Sequence, residues 1–365
     1  MANTQFGLGG LTRLGILGGG QLGRMTALAA ARLGIRCHVF APETEAVAAD
    51  VCEKHTRADY DDEAALKRFA ASVDAVTLEF ENVPISALAF LAEHVPVRPG
   101  ARVLEVCQDR ALEKATAQRF GCATVAWREV SDDSTAREAH RALGGDTVLK
   151  TARLGYDGKG QVRLRPNDDA ASAYDALGGV PCVMEAFTPF ERELSIIIAR
   201  DAHGHSQCLP LVENRHRDHI LYQTLAPAVV APPIAAKARA MAQRLADGLD
   251  LVGVLAIELF ACADGSLLLN EMAPRPHNSG HWSIDASACS QFEMLVRAVT
   301  GLPLVEPVLL ARAEMTNLIG DDIALAAQAL HEPHARVHVY GKSEVRPGRK
   351  MGHITRLQPI DVIQA

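Results

Sequence analysis

Apolar and polar positions in the first hundred residues follow a strand-then-helix rhythm. Leu14-Gly-Ile-Leu17 reads as a buried strand, Gly18-Gly-Gly20 as a turn, and 21–33 as a helix ended by Gly34. Residues 35–40 and 74–80 give further strands, so this stretch predicts βαβ units on a parallel sheet. The two prolines and the glycine of Val95-Pro-Val-Arg-Pro-Gly100 mark an exit from that unit. A helix at 109–120 and strands near 147–150, 161–164 and 182–187 make a second region. Longer strands begin at Arg192, with 193–199 and 209–213, and end in a hairpin. Residues 306–365 are spotted with proline and predict short strands and no long helix.

The hairpin carries a geometric expectation. Val254-Leu-Ala-Ile-Glu-Leu-Phe-Ala261 and Leu267-Leu-Leu-Asn270 flank Ala263-Asp-Gly-Ser266, and Asp-Gly between apolar runs signals a two-residue turn. A turn at Asp264 and Gly265 sets Glu258 directly opposite Glu271. Facing carboxylates about 5 Å apart repel one another, and in an apolar hairpin each also carries a desolvation cost. A cation between them removes both penalties, and all-oxygen ligation that also takes nucleotide phosphates favours Mg2+. With another turn length, one glutamate faces water instead. Directly after it, Asn270-Glu-Met-Ala-Pro-Arg-Pro-His-Asn-Ser-Gly-His-Trp282 crowds a carboxylate, two imidazoles, an arginine, an amide and a hydroxyl onto a strand end and loop. That density reads as an active-site wall; for His281 and Trp282, packing is the plainer role.

With 365 residues, 48% hydrophobic and 22% charged, the chain can bury two or three cores. A net charge of −7 argues against a nucleic-acid binder and leaves small molecules as the expected partners. The eight cysteines form no CxxC pair and fall mostly in apolar runs, as reduced core residues of a cytoplasmic protein do. No apolar run is long enough to span a membrane, and no basic-then-apolar segment opens the chain.

Three motifs carry phosphate-type chemistry. Gly18-x-Gly20-x-x-Gly23 fits a turn that lets a phosphate approach a helix amino terminus, and Glu43 is placed to hold a ribose, which keeps an NAD-dependent oxidoreductase among the readings. The same turn also serves helix–sheet packing with nothing bound. Glu79 and Glu81 share one face at the carboxyl end of a parallel strand, where amine-bearing substrates find acceptors or a strand end simply meets water. Lys150 ends an apolar run, and Gly155-Tyr-Asp-Gly-Lys-Gly-Gln161 follows as a flap whose N–H groups can close over polyphosphate. The GxxxxGK[ST] spacing of a Walker loop is absent, and a plain surface hairpin is the bland alternative.

Taken in order, these motifs resemble the ATP-grasp enzymes, and among them the ATP-dependent ribonucleotide carboxylases of purine biosynthesis. Glu213-Asn-x-His-Arg-Asp218, Gly341-Lys342 and Arg346-Pro-Gly-Arg-Lys-Met-Gly-His353 extend the likeness over nearly the whole chain. The resemblance implies an α/β fold of ATP-grasp architecture: a Rossmann-like pre-ATP-grasp domain (1–108), a small subdomain with the flap (109–190), a large subdomain with the metal site (191–305) and a mostly-β carboxyl-terminal segment (306–365). It assigns Arg110, Lys150, the flap Gly155, Tyr156, Asp157, Gly158, Lys159, Gly160 and Gln161, then Glu185, Ala186, Phe187, Thr188, Glu193, His216, Asn270 and Glu271 to ATP. Glu185 and its strand meet the adenine edge, and Glu193 the ribose. Magnesium falls to Glu258 and Glu271, and the ribonucleotide to Gln21, Leu22, Glu81, Tyr156, Asp157, Arg275, His277, Asn278, Ser279, Lys342 and Arg349.

The implied reaction couples ATP and bicarbonate through carboxyphosphate to the amine of aminoimidazole ribonucleotide. Asp157 or His277 takes the amine proton, and Arg275, Tyr156 and Lys342 assist. A homodimer is implied as well. Ala273 stands where many ATP-grasp enzymes place asparagine, which puts a second magnesium ion in doubt. A formate-dependent glycinamide ribonucleotide ligase is the neighbouring alternative, distinguished by aspartate where this chain has Asn278.

Overall fold

The computed structural model describes residues 13–155 and 158–359, so Tyr156 and Asp157 lie outside the described residues. Strands β1 (Arg13–Leu17), β2 (Arg36–Phe40), β3 (Lys54–Thr56) and β4 (Ala75–Leu78) form a parallel sheet in the order β3-β2-β1-β4. Between β1 and β2 runs the helix Gln21–Arg32, and Gly34, at φ +72, turns the chain back toward the sheet. Strand order reverses between β1 and β4, and open α/β sheets hold ligands at the carboxyl ends of such a switch point. The ends in question are Gly18 to Gly20 and Glu79 to Glu81.

A second, antiparallel sheet has the order β5-β8-β6-β7, from β5 (Trp127–Val130), β6 (Thr147–Thr151), β7 (Gln161–Leu164) and β8 (Cys182–Ala186). Lys150 pairs with Gln161 across β6 and β7, so the glycine-rich loop is the tip of this hairpin, as its sequence predicts.

The third sheet comprises β9 (Arg192–Arg200), β10 (Ser206–Cys208), β11 (Val212–Arg217), β12 (Ile220–Ala226), β13 (Gly253–Ala261), β14 (Leu267–Ala273), β15 (Arg312–Ile319), β16 (Ala335–Val339) and β17 (Lys350–Gln358). Its order is β14-β13-β9-β11-β12-β15-β17-β16, with β10 on the free part of β9. Here the expectation of short carboxyl-terminal strands fails: β15 has 8 residues and β17 has 9, and β15 pairs with β12 to extend the large sheet. The prolines of that segment, Pro307, Pro333, Pro347 and Pro359, all lie outside the strands, where a missing N–H costs no ladder bond.

Leu14, Ile16 and Met25 of the first domain pack into one cluster with Trp282, Phe292 and Leu295, so the parallel domain and the large sheet share a core. This shared core brings the switch point of the first sheet against the loop after β14. All eight cysteines are free, and no helix among the described residues is long and apolar enough to cross a membrane.

Candidate active site

The β13–β14 turn is not the predicted one. Cys262 N–H donates to Ser266 O at 3.0 Å around the loop Ala263-Asp264-Gly265, and Gly265 takes the left-handed conformation at φ +74. That loop pairs Leu259 with Leu269, a register in which Glu258 would face Asn270. A bulge intervenes at Asn270, and Glu258 faces Glu271 after all. Two one-residue offsets cancel. Contacts from the helix Arg110–Arg119 and its surroundings hold the bulge: Glu113 accepts from Met272 N–H, Lys114 Nζ lies 3.4 Å from Asn270 O, and Leu269 N–H donates to Ala123 O at 2.8 Å.

The facing carboxylates differ in state. Burial, and then the neighbouring Glu271, push Glu258 up to about 8. Partial burial acts on Glu271 too, but the Arg110 guanidinium, 3.0 Å away, and Lys150 together outweigh it and hold that carboxyl below its ordinary value. A pair in which one carboxyl keeps its proton near neutrality fits a divalent cation, which would let both ionise. Asn270, displaced by the bulge, lines the adjoining cavity, and its buried Oδ1 has no hydrogen-bond partner among the described residues.

That cavity measures about 720 Å³, within the range of small-molecule sites. Arg110, Lys150, Glu193, His216, Asn270 and Glu271 line it, with Gly158, Lys159 and Gln161 from the flap, Ala186 at the end of β8, and Phe187 and Thr188 after it. His216 Nδ1 stands 2.6 Å from Glu193, and despite burial that carboxylate raises the imidazole above its usual value. Glu185, near the end of β8, lines the cavity with them. Its buried carboxylate lies 2.8 Å from Lys114 and 2.7 Å from Lys150, and these lysines overcome burial to hold it at about 2. Gly160 packs on Thr151 and Gly155 lines a second cavity, so these two flap glycines shape the hairpin rather than the first cavity's wall.

The second cavity, about 480 Å³, is lined by Gln21, Leu22, Glu81, Arg275, His277 and Asn278. Both nitrogens of one edge of Arg275 meet the Glu81 carboxylate, Nη2 at 2.8 Å, and this guanidinium outweighs burial to keep Glu81 at about 2. Glu79 instead turns into the first glycine motif. It accepts from Gly20 N–H at 2.6 Å and Gly23 N–H at 3.0 Å, capping a helix that has no side-chain cap of its own. The seat that a dinucleotide phosphate requires is therefore filled by the chain's own carboxylate, and the nicotinamide reading falls.

Three residues expected at this cavity do not line it. Ser279 is fully buried, its hydroxyl 2.9 Å from His277 Nδ1 and accepting from Ser195 Oγ at 2.7 Å. Lys342 Nζ donates to Lys350 O at 2.8 Å, and burial lowers the amine to about 8. Arg349 reaches Glu45 at 2.6 Å and Glu344 O at 2.7 Å. The reason is shared: each finds a partner within the protein that its local sequence did not disclose. His281 and Trp282 are buried as packing predicts, although His281 also touches the second cavity.

Both cavities share Arg110, Glu271, His277, Asn278 and Lys350, and so meet at one point. His277 is held neutral there: burial, then Arg275, lower it to about 3. Sequence reading missed Lys350, and it missed Glu113 and Lys114. The signal for the latter two was present, since 110, 113, 114 and 117 fall on one helix face.

Comparison with known proteins matches this arrangement. Residues 11–108 match the ribonucleotide synthetase preATP-grasp domain, 115–292 the ATP-grasp domain, and 313–360 the phosphoribosylaminoimidazole carboxylase C-terminal domain. The N5-carboxyaminoimidazole ribonucleotide synthase of Brucella melitensis is 48% identical over 348 residues, covering 95% of this chain and 96% of its own length. That of Bacillus subtilis is 41% identical over 352 residues, covering 95% and 92%. The Aspergillus clavatus enzyme, in a crystal structure with ADP and 5-aminoimidazole ribonucleotide, superposes with a TM-score of 0.89 at 31% identity over 96% of this chain and 94% of that one. An ADP complex of an N5-carboxyaminoimidazole ribonucleotide synthetase gives a TM-score of 0.92 at 40% identity, covering 95% and 92%. With three consecutive domain matches and relatives alike from end to end, the chain belongs to the N5-carboxyaminoimidazole ribonucleotide synthase family of ATP-grasp ligases.

Proposed function

We propose that this protein carboxylates the exocyclic amine of 5-aminoimidazole ribonucleotide, using ATP and bicarbonate and giving 5-carboxyaminoimidazole ribonucleotide, ADP and phosphate in purine biosynthesis. One observation carries the reading most directly: a nucleotide-sized cavity and a second cavity with a half-buried arginine open onto the same side chains, Glu271, His277 and Asn278. Such a junction suits transfer of a short-lived group between two bound substrates.

In this reading ATP occupies the first cavity and the ribonucleotide the second. Lys150, Arg110 and Lys159 balance charge on the polyphosphate. Glu258 and Glu271 hold magnesium, which supplies further charge neutralisation at the phosphates. Bicarbonate oxygen attacks the terminal phosphorus, the bond to ADP breaks, and carboxyphosphate forms. The flap excludes water from this labile species. Loss of phosphate yields carbon dioxide, the amine nitrogen attacks its carbon, and an N–H proton passes to the phosphate just released or to Asp157. Arg275 exchanges its hold on Glu81 for substrate oxygens, a bidentate match that lysine would not give. A cytoplasmic homodimer completes the reading.

An ADP-release assay tests it: ADP formation is expected to require both bicarbonate and aminoimidazole ribonucleotide. Stimulation by formate and glycinamide ribonucleotide would point to the related ligase, and no response to aminoimidazole ribonucleotide overturns the assignment. Glu271→Ala is expected to abolish turnover and leave the fold intact by circular dichroism.

A further inference from the structure

His277 stands where the two cavities meet, and two roles are open to it there: acceptor of the amine proton, or hydrogen-bond donor. The bonds around its ring separate them. Ser279 N–H donates to Nδ1 at 3.3 Å. A backbone N–H has no other way to act, so Nδ1 carries a lone pair. The ring proton then lies on Nε2, which stands 3.2 Å from Glu258 Oε1. The Ser279 hydroxyl, 2.9 Å from Nδ1, agrees, because its oxygen already accepts from Ser195 Oγ at 2.7 Å and its own hydrogen is left to point at the ring.

The line of donors continues away from the site. Ser195 Oγ accepts from Asn214 Nδ2 at 2.9 Å, and Asn214 Oδ1 accepts from Thr224 Oγ1 at 3.0 Å. Ser195, Thr224 and Ser279 are fully buried and Asn214 is 5% exposed, so competing water is kept out. Three adjacent strands, β9, β11 and β12, supply one member each, and every hydrogen runs the same way, toward His277.

We infer that Thr224, Asn214, Ser195 and Ser279 are positioning residues that hold His277 as its Nε2–H tautomer, so that His277 donates a hydrogen bond at the cavity junction and does not receive the amine proton. As donor it fixes Glu258 Oε1, in the manner of a group that orients a neighbouring ligand. What the junction transfers rests on the carboxylase reading; the tautomer does not.

Two measurements test the inference. Nitrogen-15 NMR of histidine-labelled protein, with the His277 signals identified by their loss in His277→Gln, reports the tautomer without any substrate. A protonated Nε2 and bare Nδ1 are expected; a proton on Nδ1, or on both nitrogens, at pH 7.5 overturns the proposal. In the activity assay, His277→Gln keeps a donor close to the place of Nε2. It is expected to retain kcat within about tenfold of wild type, where His277→Ala loses about a hundredfold. Equal loss in the two would mark a proton acceptor and overturn the donor role. Ser195→Ala is expected to lower kcat about fivefold with KM for ATP nearly unchanged, and to add nothing when combined with His277→Gln, because it acts through that ring. Independent, multiplicative losses would reject the positioning chain. A wild type without carboxylase activity would sink the functional reading and leave the NMR result standing.

Discussion

Two glycine-rich turns with nearly the same sequence signal reach opposite ends in this molecule. In the first, the N–H groups of Gly20 and Gly23 converge on the buried carboxylate of Glu79, and a Cβ on Gly18 would fall 2.3 Å from Glu79 Cγ. In the second, Gly158 and Lys159 border an open cavity, and a Cβ on Gly158 would meet the His219 side chain at 2.6 Å. Glycine spacing thus reports that something comes close to the backbone. It does not say whether that something is a ligand or the protein itself. The difference lies in what stands opposite: an acidic strand end at the first turn, and Lys150, Arg110 and Lys350 around the cavity under the second.

Alanine at each turn breaks the comparison most strongly. Gly18→Ala forces a side chain into φ +105 against buried atoms, and strain with overpacking is expected to cost about 4 kcal/mol, read as a large fall in melting temperature. Gly158→Ala pushes the flap away from the exposed turn at His219, so the melting temperature is expected to hold while kcat/KM for ATP falls about tenfold. The opposite pattern would show that the first turn is the working one.

A smaller effect separates how the two regions balance charge. Glu79 is met by backbone N–H groups, whereas Glu185 is met by Lys114 and Lys150. Glu185 is held at about 2 when folded, below its unfolded value near 4.5. Its contribution is therefore present in full above pH 4.5 and is lost as pH falls toward 2, amounting to about 3 kcal/mol over that window. Denaturant unfolding at stepped pH should show an acid limb that flattens in Glu185→Gln. That variant should also be less stable at pH 7, because Lys114 stays buried without its partner. An unchanged limb would mean the lysines do not govern this carboxylate.

Much of this is legible in the amino-acid sequence. The βαβ rhythm, the flap hairpin and the facing of Glu258 and Glu271 all came from apolar runs and turn residues. The facing pair came out for the wrong reason, since the loop is one residue longer than Asp-Gly suggested and the bulge at Asn270 restores the register. Nothing in Leu267-Leu-Leu-Asn270 announces that bulge, because it is held by Glu113 and Lys114, more than 150 positions away. The burial of Ser279 is hidden for a similar cause: a hydroxyl in a loop gives no sign that Ser195 will meet it. Long-range partners, rather than local propensity, set both the bulge and the burial of Ser279.

The finest test empties the first turn of its carboxylate. Glu79→Gly leaves the N–H groups of Gly20 and Gly23 without their acceptor, at a cost of about 2 kcal/mol for two buried hydrogen bonds. If the turn is an anion seat filled from within, millimolar phosphate should restore part of that loss in the variant, by an amount that grows with the logarithm of its concentration, and should do less for wild type. NAD is expected to leave the wild-type melting temperature where it is, because its pyrophosphate would have to displace a carboxylate fixed by two backbone bonds. Glu43→Ala should be equally silent, since exposed Glu43 has no ribose to hold in this protein. A shift of wild type by NAD that Glu43→Ala removes would show that Glu79 can leave, and the two glycine turns would then be alike in function as well as in sequence.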